Sequence, residues 1–226
     1  MNPLIVALDF DSPEKARELV ERLGGRVTFY KVGLELYAAA GMQFVGELIA
    51  GGKDVFLDLK LYDIGETVKR AVARIAASGA RFTTVHGSGA LMRAAAEGRG
   101  ASHLKLLAVT VLTSFDREDL ADLGYPCAVS ELVALRVRRA MEAGIDGIVC
   151  SPLEAALVRQ TAGPGAILVT PGVRSAGAGK GDQKRVATPA EALRDGANYL
   201  VIGRQVTRAQ DPAAEVERIL EEIGCK

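Results

Sequence analysis

The feature of this sequence that most constrains its fold is a short apolar run that recurs about eight times along the chain. Each run is rich in Val, Ile and Leu and lacks the alternation with polar residues that a half-exposed strand requires. Such runs are typical of strands that are buried on both faces, as in a parallel sheet. The runs are residues 4–8, 28–32, 55–59, 82–85, 105–111, 147–150, 166–170 and 199–202.

The segments between these runs carry the signals of amphipathic helices. Ser12-Pro13-Glu14 supplies a capping hydroxyl, a proline at the first helical position and an early acid, and Gly24-Gly25 ends the segment. Residues 130–143 place their apolar side chains on one helical face. Three further helix starts have a proline at the same position: Ser151-Pro152, Thr188-Pro189 and Asp211-Pro212.

About eight strand–helix units in succession, with no break in composition, predict an α/β fold. We expect a closed (β/α)8 TIM barrel that forms a single domain over residues 1–226. An open, doubly wound parallel sheet is the alternative. No G-x-G-x-x-G motif follows the first strand, which disfavours a dinucleotide-binding sheet.

The composition excludes several classes of function. Lys plus Arg and Asp plus Glu both number 28, so the formal net charge is zero and no general affinity for nucleic acid or anionic membranes is expected. The three cysteines lack the spacing of a metal site, which indicates thiols in a reducing compartment. No apolar stretch approaches the roughly 20 residues of a membrane span, and no signal peptide is recognisable. We therefore expect a soluble cytoplasmic protein.

Ionisable residues stand where three consecutive predicted strands end. Asp9 follows the first run, Lys31 ends the second, and the third ends in Asp58-Leu59-Lys60-Leu61-Tyr62-Asp63. In a parallel barrel the carboxyl ends of all strands meet at one rim, which is where such enzymes carry their catalytic groups. The sequence therefore predicts a charged active centre at this rim.

The two-residue period of a strand places Asp58 and Lys60 on the same face. The leucines beside them occupy the other face, towards the helices, so the charged pair is expected to face the barrel interior. Buried charge is costly unless it is paired and hydrogen-bonded. Asp9 and Lys31 are the expected partners from neighbouring strands, with Asp63 as a further carboxylate.

A purely structural interpretation stays open for these residues taken singly. Asp58 and Lys60 would then be a buried ion pair that stabilises the barrel mouth. Asp9 would cap the following helix, and Lys31 would be a surface lysine with a buried stem. The presence of several ionisable groups at one rim favours the functional interpretation.

Glycine and arginine follow the last two predicted strands, in Pro171-Gly172-Val173-Arg174 and Gly203-Arg204. Glycine lets backbone N–H groups approach a phosphate, arginine binds it, and barrel enzymes often bind phosphate at these two loops. We therefore predict a phosphate site, with plain turns and solvated arginines as the alternative. The small residues of 172–184 predict a mobile loop from which Gln183 reaches the ligand on closure.

Two other polar residues stand at predicted strand ends. His86 ends the fourth run, and its spacing from His103, the other histidine, gives no support for a metal site. We expect a structural or supporting role for His86. Thr113 follows the fifth run, where it would contact a polar ring or cap the next turn.

Six segments, in order and at fitting intervals over nearly the whole chain, resemble the orotidine 5′-phosphate decarboxylase family. They are Ala7-Leu8-Asp9, Lys31-Val32-Gly33, Asp58-x-Lys60-x-x-Asp63, Thr170-Pro171-Gly172-Val173-Arg174, Gly181-Asp182-Gln183 and Ile202-Gly203-Arg204. The resemblance implies an enzyme without cofactor or metal that converts orotidine 5′-monophosphate to UMP and CO2 in pyrimidine synthesis.

The resemblance also implies roles for individual residues. Lys31, Asp58, Lys60 and Asp63 match the charged array of the family, in which Lys60 protonates the carbanion. It implies a homodimer with shared active sites, in which Asp63 and Thr67 come from the second subunit. The remaining implied substrate contacts are Asp9 at the ribose, Thr113 at the pyrimidine, and Arg174, Gln183, Gly203 and Arg204 largely at the phosphate.

Two other functions are compatible with the same segments. Metal-dependent sugar-phosphate decarboxylases and aldolases resemble the Asp58-x-Lys60-x-x-Asp63 segment and the phosphate loops, but they usually carry an acidic metal ligand where this chain has Lys31. A lysine there would repel a divalent cation. A non-enzymatic nucleotide-binding barrel is the alternative from another class.

Overall fold

The structure is a computed structural model that describes residues 2–175 and 187–225. Its centre is a closed barrel of eight parallel strands, in which each strand pairs with the next and the eighth pairs with the first. The TIM-barrel prediction is confirmed, and each predicted run overlaps one observed strand. The strands are β1 (Leu4–Ala7), β2 (Phe29–Gly33), β3 (Asp54–Leu61), β4 (Phe82–Val85), β5 (Lys105–Val109), β6 (Gly147–Val149), β7 (Ile167–Pro171) and β8 (Tyr199–Ile202).

Helices connect the strands and cover the outside of the barrel. The predicted capping residues begin α1, α8 and α10, with the Ser12, Thr188 and Asp211 side chains accepting backbone N–H groups. The described helices are α1 (Pro13–Leu23), α2 (Leu34–Ala50), α3 (Gly65–Ser78), α4 (Gly89–Arg99), α5 (Arg117–Asp122), α6 (Val129–Glu142), α7 (Ala155–Ala162), α8 (Pro189–Arg194), α9 (Arg204–Thr207) and α10 (Pro212–Glu222). Ser151 caps a 3₁₀ turn, Pro152–Glu154, which precedes α7.

The strand residues divide between two apolar layers, as a period of two requires. One set packs against the helices and includes Leu57. The other set fills the barrel interior and includes Phe56 on β3 and Phe82 on β4. Continuing the same alternation towards the carboxyl ends places Asp58 after Phe56 and Thr84 after Phe82. The barrel interior therefore changes from apolar to polar as it approaches the rim.

Strand β3 has an irregularity just before it reaches the rim. Leu57 pairs with Thr83 and Leu61 pairs with Val85, so β3 advances four residues while β4 advances two. Lys60 lies within this bulge at φ 49°, the one positive φ of a non-glycine residue in the described part of the chain. Bulges redirect side chains, and a backbone conformation that is costly for lysine indicates a position that the surrounding contacts determine.

The opposite, amino-terminal end of the barrel is closed by Arg81. Its guanidinium lies over the rings of Phe29, Phe82 and Tyr199, 5.1, 5.6 and 5.6 Å from their centroids. It also pairs with Asp54 at 2.5 Å and donates to the Tyr199 hydroxyl at 2.8 Å. This single side chain therefore joins the residues that form the floor of the barrel.

Two findings concern the environment of the protein. Among residues 2–175 and 187–225, no helix has both the length and the apolar character needed to cross a membrane. All three cysteines lie within the described residues and are present as thiols.

We predict that Arg81→Ala lowers the free energy of unfolding by about 2 kcal/mol, because it removes three cation–π contacts and leaves Asp54 unpaired. The measurement is urea denaturation followed by circular dichroism. Arg70→Ala is the matched control, since Arg70 is largely exposed and pairs with Glu66 at only 3.9 Å. We expect a change within about 0.5 kcal/mol for the control. Equal losses in the two variants would contradict the role of Arg81.

Candidate active site

The centre of the site is the carboxylate of Asp58, whose side chain is only 12% exposed at the carboxyl end of β3. Its Oδ2 accepts a hydrogen bond from Lys60 Nζ at 2.8 Å and lies 3.9 Å from Lys31 Nζ. Its Oδ1 accepts a hydrogen bond from the Thr84 hydroxyl at 2.8 Å. Both carboxylate oxygens are therefore satisfied, as a buried charge requires.

The surroundings of Asp58 determine its charge. Burial, the largest single influence, raises the pKa of this carboxyl group. The positive charges of Lys31 and Lys60, with the hydrogen bonds from Lys60 and Thr84, together outweigh burial and hold the pKa below its ordinary value. Asp58 is therefore ionised at neutral pH, and its negative charge lies between two ammonium groups.

Lys31 extends the cluster to the first strand. Its ammonium group is buried and donates to Asp9 Oδ1 at 2.8 Å. A surface position for Lys31 is therefore wrong, and the cap of α1 is Ser12 rather than Asp9. Gly33 makes room for this pair, because a Cβ atom there would lie 2.8 Å from Lys31 Nζ and 3.2 Å from Asp9 Oδ1.

A cavity of about 540 Å³ opens beside Lys31. It brings together the loops that follow β7 and β8 with the ends of β1 and β2. Besides Lys31, its lining includes most of the residues predicted to hold the phosphate and ribose, namely Asp9, Gly172, Arg174, Gly203 and Arg204. Basic side chains from three elements therefore face a space that suits an anionic ligand.

A second cavity, of about 440 Å³, opens beside Lys60. Most of its lining is apolar or aromatic, and the polar groups are few. The lining residues are Lys60, Tyr62, His86, Gly87, Val111, Leu112, Phe115, Leu120, Leu123, Tyr125 and Arg136. Because Asp58 contacts both lysines, the buried ion cluster lies between a cavity lined by basic groups and a mainly apolar one.

Other predicted site residues lie apart from this cluster. Asp63 is exposed, its Oδ1 accepts a hydrogen bond from the Ile64 N–H at 2.6 Å, and Thr67 on α3 is also exposed. Within the described part of one chain, no ion pair joins Asp63 to Lys60. Thr113 is half-buried and directly follows Leu112, a residue of the second cavity. Gln183 and residues 176–184 of the predicted mobile loop lie outside the described residues.

Two residues at the site were not identified from the sequence. Thr84 contacts Asp58, and its place on the inward face of β4 follows from the same alternation that places Asp58 inward. Gln205 follows the Gly203-Arg204 motif and carries no local signal of its role. Its side chain accepts from the Ser175 N–H at 3.1 Å and donates to the Ser175 hydroxyl and to Glu215. Gln205 thereby connects the loop after β7 to α10.

The chain is similar in sequence to several known proteins. A family model described as the orotidine 5′-phosphate decarboxylase / HUMPS family matches residues 2–219. An orotidine 5′-phosphate decarboxylase of Rhodopseudomonas palustris strain BisA53 is 55% identical over 220 residues, which are 97% of this chain and 94% of that protein. The enzyme of the same name from Methylobacterium nodulans is 52% identical over 98% of this chain and 95% of its own length.

Solved structures agree at the level of the fold. The crystal structure of orotidine 5′-phosphate decarboxylase from Lactobacillus acidophilus matches with a TM-score of 0.85 at 36% identity and covers 99% of both chains. An uncharacterized conserved protein from Geobacillus kaustophilus matches with the same TM-score at 37% identity, over 98% of this chain and all of that one.

His86 lies beside Lys60 in the second cavity, with its ring edge-on to Tyr62 at a centroid distance of 6.0 Å. Burial lowers the pKa of His86, and the positive charges of Arg136 and Lys60 lower it further. The imidazole is therefore neutral at pH 7 in the folded protein. Because the unfolded chain binds this proton more readily, stability falls as the pH drops below about 6.5.

We predict that His86→Gln loses less stability than the wild type when the pH is lowered from about 7.5 to about 5.5. The two losses of unfolding free energy should differ by up to about 1 kcal/mol. The glutamine cannot take up the proton that favours the unfolded chain. The measurement is urea denaturation at both pH values. His103→Gln is the matched control, because His103 is exposed, and it should retain the pH dependence of the wild type. If both variants show the same pH dependence, the depressed pKa of His86 is refuted.

Proposed function

Because the chain belongs to the orotidine 5′-phosphate decarboxylase family and catalyses the decarboxylation of orotidine 5′-monophosphate to UMP, we propose that Lys31, Asp58 and Lys60 form its catalytic centre. The observation that carries this proposal is the buried, ionised Asp58 between two ammonium groups at the rim of the barrel. A cavity lined by basic side chains lies on one side of it and a mainly apolar cavity on the other.

The reaction requires the stabilisation of a carbanion. When the bond between the pyrimidine ring and its carboxylate breaks, the electron pair stays on the ring carbon and CO2 leaves. No ring π-system delocalises this pair, so a fixed positive charge must stabilise it. We assign this role to the Lys60 ammonium, which then transfers one proton to the carbon and keeps the nitrogen electron pair.

Asp58 has a positioning role in this proposal. Its Oδ2 holds Lys60 Nζ at 2.8 Å, so the ammonium requires little reorganisation when the carbanion forms. Lys31 compensates the charge of Asp58 from the other side, at 3.9 Å, and is itself held by Asp9 at 2.8 Å. The four groups alternate in charge, which keeps the cluster stable without substrate.

Binding of the phosphate takes place, in this proposal, in the cavity beside Lys31. Arg174, Gly203 and Arg204 bind the phosphate, and Asp9 binds the ribose. Gln183 and Thr113 are assigned to the phosphate and the pyrimidine by the family resemblance. The binding energy of a phosphate that is remote from the reacting carbon contributes to positioning the ring at Lys60.

We further propose a homodimer with shared active sites, in which Asp63 and Thr67 come from the partner subunit. Both residues face solvent in the single chain, and Asp63 Oδ1 accepts a hydrogen bond from the Ile64 N–H at 2.6 Å. The flanking Tyr62 and Ile64 are 73% and 75% exposed, and such apolar side chains at a site rim favour a protein contact.

The proposed reaction uses neither a metal ion nor an organic cofactor and takes place in the cytoplasm. Lys31 supports a reaction without a metal ion, because its ammonium pairs with the carboxylates of Asp9 and Asp58 and would repel a divalent cation there. The three free thiols support a location in the cytoplasm, because cysteines rarely form disulfides in reducing compartments.

We predict that Lys60→Ala lowers kcat by about 10³-fold or more, because it removes both the counter-charge and the proton donor. Turnover is measured by the ultraviolet absorbance change as orotidine 5′-monophosphate is consumed, and UMP binding by calorimetry. The Kd for UMP should stay within roughly tenfold of the wild type. Arg204→Ala is the contrasting variant and should weaken UMP binding by about tenfold or more. Near-normal turnover of Lys60→Ala would refute the assignment.

The shared site predicts that two inactive variants restore activity when they are mixed. A heterodimer of Lys60→Ala and Asp63→Ala chains contains one site with both residues intact, provided that Asp63 acts in the partner's site. After joint refolding, the mixture should reach about a quarter of wild-type activity, because half of random dimers are mixed and each has one intact site. If Asp63 serves its own barrel, no mixed dimer contains an intact site and the mixture stays inactive.

A further inference from the structure

We propose that Thr84 is a positioning residue of the catalytic centre, whose hydroxyl group fixes the Lys60 side chain and the Asp58 carboxylate relative to each other. The proposal rests on the catalytic roles given above to Lys60 and Asp58. Thr84 belongs to none of the motifs that identify the family in this sequence, and it contacts the cluster from a different strand.

The bulge in β3 creates the need for such a residue. The register break between β3 and β4 takes the Lys60 N–H out of the regular ladder, at a backbone conformation of φ 49°. A backbone N–H that is buried without an acceptor costs free energy. The Thr84 hydroxyl oxygen accepts this hydrogen bond at 2.9 Å. Thr84 therefore replaces the ladder partner that Lys60 would have in a regular strand.

The direction of the second hydrogen bond follows from the first. A hydroxyl group has one proton to donate, and an ionised carboxylate only accepts. Because Thr84 accepts from the Lys60 N–H, its own proton is directed to Asp58 Oδ1 at 2.8 Å. The other carboxylate oxygen accepts from Lys60 Nζ at 2.8 Å.

These three hydrogen bonds form a closed ring. It runs from the Lys60 backbone to the Thr84 hydroxyl, from there to the Asp58 carboxylate, and back to the Lys60 ammonium. The Lys60 ammonium contacts the Asp58 carboxylate directly, and the Lys60 backbone is connected to the same carboxylate through Thr84. The ring limits the rotation of Asp58 and the directions in which the ammonium of Lys60 can point.

Burial makes the hydroxyl difficult to replace. Thr84 has no exposed surface, and Asp58 is 9% exposed as a whole residue. Loss of the hydroxyl would leave the Lys60 N–H and Asp58 Oδ1 each short of a partner in a region from which water is largely excluded. The carboxylate and the ammonium would then adopt a wider range of orientations.

The neighbouring Thr83 provides a matched control in the same strand. It is equally buried, and its hydroxyl also donates to β3, at 2.9 Å from the Leu57 carbonyl oxygen. It points to the other face of β4 and belongs to none of the contacts of Asp58 or Lys60 described above. Removal of its hydroxyl costs a buried hydrogen bond but leaves the proposed ring intact.

The experiment compares Thr84→Val, Thr84→Ser and Thr83→Val for kcat, for KM and for UMP affinity. We expect Thr84→Val to lower kcat by about 10- to 100-fold while the Kd for UMP changes less than about threefold. Thr84→Ser keeps the hydroxyl and should recover most of the lost kcat. Thr83→Val should lose stability to a similar degree and keep the kcat of the wild type per folded molecule.

Three results would overturn the proposal: a wild-type kcat in Thr84→Val, an equal kcat loss in Thr83→Val, or no recovery in Thr84→Ser. Thr84→Ala removes the same hydroxyl without added bulk, so it provides the same comparison if the valine variant does not fold. Lys60→Ala in the same assay distinguishes the role of Lys60 from the role of Thr84. Normal turnover there refutes the catalytic assignment itself, whereas an inactive Lys60→Ala beside a fully active Thr84→Val refutes only the role of Thr84.

Discussion

The burial of the Asp58 carboxylate is the constraint on which the rest of the site depends. A charge in the mouth of a barrel is tolerated only with compensating charge and hydrogen bonds, and these come here from β2, from β3 itself and from β4. The carboxyl ends of three strands must therefore keep fixed positions relative to one another. Between β2 and β3 the pairing of Gly33 with Asp58 sets these positions, and the absence of a side chain at residue 33 leaves space for Lys31.

The barrel separates the interactions that stabilise it from those that carry the chemistry. Its interior is filled with aromatic and aliphatic side chains, and Arg81 closes the floor over three of these rings. At the rim the same inward positions carry Asp58 and Thr84. Because the rigid apolar interior fixes the strands, the ionised groups above it are held in place with little freedom, as electrostatic catalysis requires.

The two cavities on either side of the ion cluster differ in the side chains that line them. Basic groups surround the cavity beside Lys31, whereas mainly apolar side chains surround the cavity beside Lys60. The mainly apolar lining offers few other polar partners to the ammonium of Lys60, so Asp58 is its principal described contact. Binding of an anion and stabilisation of a carbanion are thus assigned to opposite sides of one ion cluster.

The sequence by itself determined the parallel barrel, the caps of α1, α8 and α10 and the position of Asp9, Lys31, Asp58 and Lys60 at one rim, because these follow from local periodicity and from the order of strands. Only the tertiary structure decided the bulge at Lys60 and the contact of Thr84 with Asp58, since these residues lie 26 positions apart and meet through strand pairing. The contact of Gln205 with Ser175, 30 positions away, has the same origin. Asp63 matches the motif but faces solvent, because the direction of a side chain beyond the strand end depends on packing that no local pattern encodes.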